Sequence, residues 1–207
     1  MDKSKLAVDT YDKIAEVYTK TYFEDFSDFK YLDKFLKFLP KGAHILDVGC
    51  GPGQFSKYMA KRGFRVTGID FSDGMLKIAG KKVLEAEFQK MDMRKLVYPE
   101  NTFDALLVSY SLIHIPSNQI PDTVKGFYKV LKPGGYLEVI AQKGKANQIV
   151  DEPFMPSEKM FFNFFNHDKL VKFFKNAGFE IISFDEAPSP DPEFQATDIL
   201  YMIVRKP

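Results

Sequence analysis

The chain has 207 residues, and its 29 Lys and Arg against 28 Asp and Glu leave a formal charge of +1. That length suits one domain with a sizeable core, and 45% hydrophobic with 28% charged residues is the balance of a globular chain, not a disordered one. Near-zero charge disfavours a protein that works by neutralising nucleic-acid phosphates, and a single cysteine, Cys50, excludes an internal disulfide framework and a cysteine-rich zinc site.

Residues 9 to 39 predict two helices. The second carries Leu32, Phe35, Leu36 and Leu39 at helical spacing before Pro40 and Gly42 end it. From His44 the pattern becomes short apolar strands alternating with amphipathic helices. Strands are expected over Ile45 to Val48, Phe64 to Ile69, Leu84 to Phe88 (the weakest), Phe103 to Tyr110 and Tyr136 to Ala141. Between them fall helices carrying Phe55 and Met59, then Met75 to Ala79, then Ile120, Val124, Phe127 and Leu131. Lys132-Pro133-Gly134-Gly135 reads as the turn into strand five. Such alternation implies a doubly wound α/β fold, a parallel sheet with helices on both faces.

Residues 143 to 166 are poorly periodic and hold Phe154, Phe161, Phe162, Phe164 and Phe165. A helix follows with Leu170, Phe173, Phe174 and Ala177, ended by Gly178. Two strands, Phe179 to Phe184 and Ile199 to Val204, are joined by a loop at 186–192 with no helix between, so they are expected to pair antiparallel at the end of the sheet. No leader-like apolar stretch opens the sequence and no apolar run is long enough to cross a bilayer, so the expectation is a cytoplasmic protein with no membrane partner.

The informative segment is Ile45-Leu46-Asp47-Val48-Gly49-Cys50-Gly51-Pro52-Gly53: a strand, a glycine-rich turn and a helix start, where backbone N–H groups can approach a ligand. Asp70 ends the next strand, 70 − 49 = 21 residues after the first glycine, where a carboxylate can accept bonds from both ribose hydroxyls of a nucleoside. A dinucleotide fingerprint would need glycine at position 54, which is Gln54; Gly53 stands one residue early. A nicotinamide oxidoreductase is therefore the disfavoured alternative.

This pattern resembles motif I of the class I S-adenosylmethionine-dependent methyltransferases of the small-molecule type. The resemblance implies a seven-stranded Rossmann-like sheet, mostly parallel with an antiparallel C-terminal hairpin, plus an N-terminal helical lid. It implies one domain over 1–207, divided into a lid (1–42), a cofactor-binding core (43–142), a lid insertion (143–166) and a C-terminal helix and hairpin (167–207). S-adenosyl-L-methionine would be the cofactor. Gly49, Cys50 and Gly51 would lie against its methionyl part, with Asp47 tying the loop from below and Ser109 at the methionyl end. Asp70 would hold the ribose, Phe71 and Met75 would cover the adenine, and Asp92 and Met93 would meet its amino group and ring. Tyr11 and Tyr18, in Tyr11-Asp12-x-x-Ala15-x-x-Tyr18, would close over the cofactor. Lys132-Pro133-Gly134-Gly135 resembles the family's turn before strand five.

Several of these residues have plainer readings. Gly53 can serve only as a helix entry, Met75 can be core, and Cys50 has no basic neighbour to make it a nucleophile. Tyr11 and Tyr18 share a helix face, as packing residues also do. His114, just past strand four, is the candidate general base, with a helix brace as the alternative; His44 and His167 attract no catalytic role. The residues after strand four, Ser109-Tyr110-Ser111-Leu112, lack the Asn-Pro-Pro-Tyr type of signature of amino-methylating DNA enzymes, no Pro-Cys is present and no acidic cluster suggests a metal. The expected acceptor is a small organic molecule, with no nucleic acid as partner. The aromatic residues Tyr18, Tyr22, Phe23, Phe26 and Phe29, and Phe154 to Phe165, are expected to enclose it. A cofactor-binding module without turnover is the other alternative.

Overall fold

The computed structural model describes residues 3–145, 147–189 and 198–207. In chain order the elements are α1 (Lys3–Tyr22), α2 (Phe29–Leu36), β1 (His44–Val48), α3 (Gln54–Lys61), β2 (Arg65–Asp70), α4 (Asp73–Lys82), β3 (Glu87–Lys90), β4 (Phe103–Ser109), α5 (Ile120–Val130), β5 (Leu131–Gln142), β6 (Gln148–Glu152), β7 (Met155–Phe162), α6 (His167–Asn176), β8 (Glu180–Pro188) and β9 (Asp198–Arg205). Seven strands form one sheet in the order β3-β2-β1-β4-β5-β9-β8. The first five run parallel, and β9 pairs antiparallel with both β5 and β8. The expected doubly wound sheet with its antiparallel hairpin is therefore present. Strand order reverses between β1 and β4, and such a switch point opens a crevice at the carboxyl ends of the strands.

Burial explains the central strands. Ile45, Leu46, Val48, Ala105, Leu106, Leu107 and Val108 are all fully enclosed, because helices cover both sheet faces. One face packs under α5 and α6 through Val124, Phe127, Leu170 and Phe174. The other packs under α2 and α3 through Leu32, Phe35, Phe55 and Met59.

The elements depart from the sequence expectation in six places. The first helix begins at Lys3, ahead of residue 9, and the second ends at Leu36, before Leu39. The third strand is shifted to Glu87–Lys90, because Val83 is buried at the end of α4 and Leu84 points outward. Leu131 belongs to β5, not the preceding helix: the Lys-Pro-Gly-Gly segment stays in the strand and is accommodated by a register shift opposite Phe103 and Ala105. Residues 143–166 contain the hairpin β6–β7; its alternation is hidden because the successive Met160, Phe161 and Phe162 are all buried. Finally β8 extends to Pro188, while Pro190 to Pro192 of the expected loop lie outside the described residues.

Asp28, at the head of α2, makes no side-chain bond to its own helix. It turns instead to the sheet, accepting hydrogen bonds from Tyr201 Oη (2.5 Å) on β9 and Tyr110 Oη (2.9 Å) just past β4. These bonds fix α2 over the carboxyl ends of the central strands. Tyr201→Phe leaves a buried carboxylate oxygen without its donor and is expected to lower the free energy of unfolding in urea by about 1–3 kcal/mol.

Candidate active site at the carboxyl ends of the strands

The glycine turn after β1 is pinned to its neighbour strand: the N–H groups of Gly49 and Cys50 both donate to the carbonyl of Ile69, at 2.7 and 2.9 Å. Gly49 has φ +72°, and a Cβ there would stand 2.3 Å from the Cβ of Ser111, so neither backbone nor space admits a side chain. Ser111 in turn donates to the carbonyl of Val48 at 2.6 Å. Gly51, also at positive φ, faces open space. Gly53 does not face the cavity: it heads α3, and a Cβ there would press on Val83 and Phe88, so it is a helix entry.

Four carboxylates organise this region. Asp47 is buried and accepts from Ser56 Oγ at 2.6 Å and from the Ser56 backbone N–H, supplying the start of α3 with the acceptor that Gly53 lacks. Burial pushes its pKa to about 7. Asp70 accepts from the N–H of Gly51 and of Ser72, each at 2.9 Å, and so holds the glycine turn from the end of β2; burial raises its pKa despite those bonds. Asp12 of α1 reaches α4, accepting from Ser72 Oγ (2.6 Å) and Gly74 N (2.9 Å). Asp92 is already engaged by Arg94, whose guanidinium approaches to 2.7 Å.

These groups surround a cavity of about 880 Å³ at the switch point. Every residue expected at a cofactor except Asp47 lines it: Tyr11, Tyr18, Gly49, Cys50, Gly51, Asp70, Phe71, Met75, Asp92, Met93 and Ser109. Asp47 sits beneath, acting through α3. The Oγ of Ser109 is buried there without a hydrogen-bond partner. Cys50 is enclosed, and burial raises its thiol pKa well above the usual value, so it fills space in the loop and is no nucleophile.

His114 closes a 3-10 turn after β4 and also lines this cavity. Its Nδ1 lies 2.9 Å from the carbonyl of Phe161 on β7, which can only accept, so Nδ1 carries the proton. Its Nε2 then accepts from Tyr11 Oη at 3.0 Å. Burial lowers the His114 pKa to about 4, so the ring is neutral at pH 7. Both ring nitrogens are engaged, and the ring braces α1 against β7.

A second cavity, of about 910 Å³, adjoins the first. Tyr11, Tyr18, Gln54, Phe55 and Tyr110 line both. Its roof comes from the β6–β7 hairpin with Glu152, Phe154, Met160 and Phe162, and its far side from Asp25, Asp28 and Gln142. The two aromatic segments therefore divide. Tyr18, Tyr22, Phe154 and Phe162 face the cavity, whereas Phe23, Phe29, Phe161 and Phe165 are buried in the core and Phe26 is exposed. Sequence reasoning missed Ser111, Asp28, Gln142 and Glu152, which belong to no recognisable spacing. Asp12 was visible in the Tyr-Asp segment, but its bond to α4 spans 62 residues. Among the described residues no cluster of His, Cys, Asp and Glu could hold a metal ion, and no helix is long and apolar enough to cross a membrane.

Residues 45–135 match the methyltransferase domain family. The demethylmenaquinone methyltransferase of Listeria monocytogenes serotype 4a (strain HCC23) is 34% identical over 131 residues, 59% of this chain and 51% of that protein. The chain thus spans about half the length of the curated relatives it matches. A solved SAM-dependent methyltransferase from Methanosarcina mazei superposes with a TM-score of 0.76 at 21% identity, covering 82% of this chain and 95% of that one. The [4+2]-cyclase SpnF superposes with a TM-score of 0.77 at 20% identity, covering 99% of this chain and 96% of that one. At these identities the structures show a shared fold.

Asp47 gives the site a pH signature. An unfolded Asp ionises near 3.8 and the folded one near 7, so between those values the folded chain holds a proton that the unfolded chain lacks. This group's contribution to stability therefore falls as pH rises from about 4 to about 7. Asp47→Asn, whose side-chain carbonyl can still accept from Ser56, is expected to make the fall in unfolding free energy across that window shallower, measured by urea titration at successive pH values.

Proposed function

We propose that this chain, a class I S-adenosylmethionine-dependent methyltransferase by its fold and its residues 45–135, transfers a methyl group to a small organic acceptor held in the second cavity. The observation that carries this reading is the shared wall: Tyr11, Tyr18, Gln54, Phe55 and Tyr110 line both the cavity we assign to the cofactor and a second, aromatic-lined cavity of similar size.

The residues present fit the cofactor. The open face of Gly51, the unpartnered Ser109 Oγ and the Asp70 carboxylate on the cavity wall offer backbone approach, a hydroxyl and a ribose acceptor in one cradle. Phe71, Met75 and Met93 supply apolar cover for a flat ring. When bound, S-adenosylmethionine supplies a methyl carbon on a sulfonium, to which an acceptor lone pair bonds as the C–S bond breaks and its electron pair leaves on sulfur.

What this chain contributes is placement and exclusion of water. Asp12 holds α1 down on α4, and α1 brings Tyr11 and Tyr18 across the junction of the cavities. His114 is in this reading a positioning residue: its neutral ring fixes the Tyr11 hydroxyl at the junction, in place of the general-base role expected from its position after β4. The β6–β7 hairpin roofs the acceptor, tied to α1 by Thr10 Oγ1 on the Lys159 carbonyl at 3.0 Å.

The likeness to the S-adenosyl-L-methionine-dependent Diels-Alderase iccD of Talaromyces variabilis, 34% identical over 122 residues (55% of this chain, 41% of that protein), supports a second reading, a cofactor-dependent protein that catalyses a reaction other than transfer. Formation of S-adenosylhomocysteine in the presence of acceptor separates the two. For the cofactor site itself, Asp70→Ala is expected to weaken S-adenosylmethionine and S-adenosylhomocysteine binding by about tenfold or more, measured by titration calorimetry. Unchanged affinity would overturn the assignment of Asp70.

A further inference from the structure

The second cavity is selective in its chemistry. Asp28, Glu152 and the more exposed Asp25 line it, and among the described residues no Lys, Arg or His does. Gln142, about nine-tenths buried at the end of β5, presents its Oε1 with no hydrogen-bond partner. Asp25, Asp28, Gln142 and Glu152 line this cavity alone and not the cofactor cavity, so they face the acceptor. The same cavity carries an aromatic wall in which each ring touches the next. Tyr11 to Tyr18, Tyr18 to Tyr22 and Tyr22 to Phe154 have centroid separations of 5.6, 4.8 and 5.9 Å.

Oxygen acceptors and ring faces share one complement. Ring faces attract cations, carboxylates form their strongest hydrogen bonds with charged N–H donors, and the amide oxygen of Gln142 lacks a donor. An anion or a phenolate would instead meet the carboxylates of Asp28 and Glu152 in a cavity that no Lys, Arg or His lines among the described residues. Burial raises the pKa of the Asp28 carboxyl, and a cation beside it favours the ionised form.

Resting on the transferase reading above, we infer that the acceptor is a small organic amine, bound as its cation between the Tyr11–Tyr18–Tyr22–Phe154 wall and the carboxylates of Asp28 and Glu152, and methylated on nitrogen. A primary or secondary ammonium first gives one proton to the carboxylate that holds it, which frees the nitrogen lone pair. That pair forms the N–C bond while the C–S bond of the cofactor breaks, its electrons leaving on sulfur and the positive charge passing to nitrogen.

The test uses matched probes on the full chain saturated with S-adenosylhomocysteine: phenethylamine, 2-phenylethanol and phenylacetate, then hexylamine, hexanol and hexanoate, with 1,4-naphthohydroquinone as a phenolic probe. Binding is followed by calorimetry. In at least one set the amine is expected to bind about tenfold or more tighter than the alcohol, with the carboxylate weaker still. Glu152→Gln and Asp28→Asn are each expected to reduce that preference by about tenfold. Because either variant can disturb folding, the wild-type probe series stands as the independent measurement. No amine preference in either set, or tighter binding of the hydroquinone, overturns the inference. S-adenosylhomocysteine affinity is measured first: if it binds and the amines do not, only this inference fails, whereas absence of that binding removes the transferase reading beneath it.

Discussion

The structure depends on how it satisfies the half-buried carboxylate of Asp70. A charged group at the end of a buried strand needs donors, and Asp70 finds them in the N–H groups of Gly51 and Ser72. One acceptor thereby fixes two things, the glycine turn after β1 and the entry to α4. Asp47 repeats the arrangement one strand away, satisfied by Ser56 at the start of α3. The cradle at the switch point is thus set by hydrogen-bond demand from below, which leaves its upper face open.

That upper face is completed by a segment distant in sequence. Asp12 bonds Ser72 and Gly74, the residues that follow Asp70, so the carboxylate network of the sheet continues into α1. Once α1 is seated, Tyr11 reaches His114, and His114 reaches the carbonyl of Phe161 on the hairpin. A chain of polar contacts therefore runs from α4 through α1 to β7 across the mouth of both cavities. Polar contacts of this kind can release and reform with less penalty than a packed apolar seam, as an element that must admit ligands requires.

The sequence made the sheet and the residues that converge on the switch-point cavity legible for physical reasons. Strands buried on both faces are continuous apolar runs, and Phe103–Ser109 is the clearest of them. The Asp47 to Gly53 turn with Asp70 at the next strand end is a local constraint in which backbone geometry dictates residue type. The β6–β7 hairpin was illegible because it packs on α1 through one face and one end, with Phe161 and Phe162 both buried, so its period of two is erased. The acceptor cavity was illegible for another reason. Asp28, Gln142 and Glu152 come from a helix start, a strand end and a hairpin, and only the folded chain brings them together. His114 shows the limit of reading a role from position: its placement after β4 was evident, while the two partners that occupy its ring come from α1 and β7.

The same division governs what similarity can carry. Gly49, Gly51, Asp70, Asp92 and Ser109 all lie within the matched residues 45–135, and they line the cavity at the switch point. Asp28, Gln142, Glu152 and Phe154 lie outside it and line the second cavity, to which Gln54, Phe55, Tyr110 and Ile113 from within the matched region also contribute. Likeness within the matched region therefore covers most of the first cavity and only one side of the second. Whole-chain charge is silent too, because +1 is a sum in which surface lysines cancel the carboxylates gathered around one cavity. The acceptor must be argued from the chemistry of the cavity wall itself, where carboxylate, amide oxygen and aromatic face all call for a donor that carries positive charge.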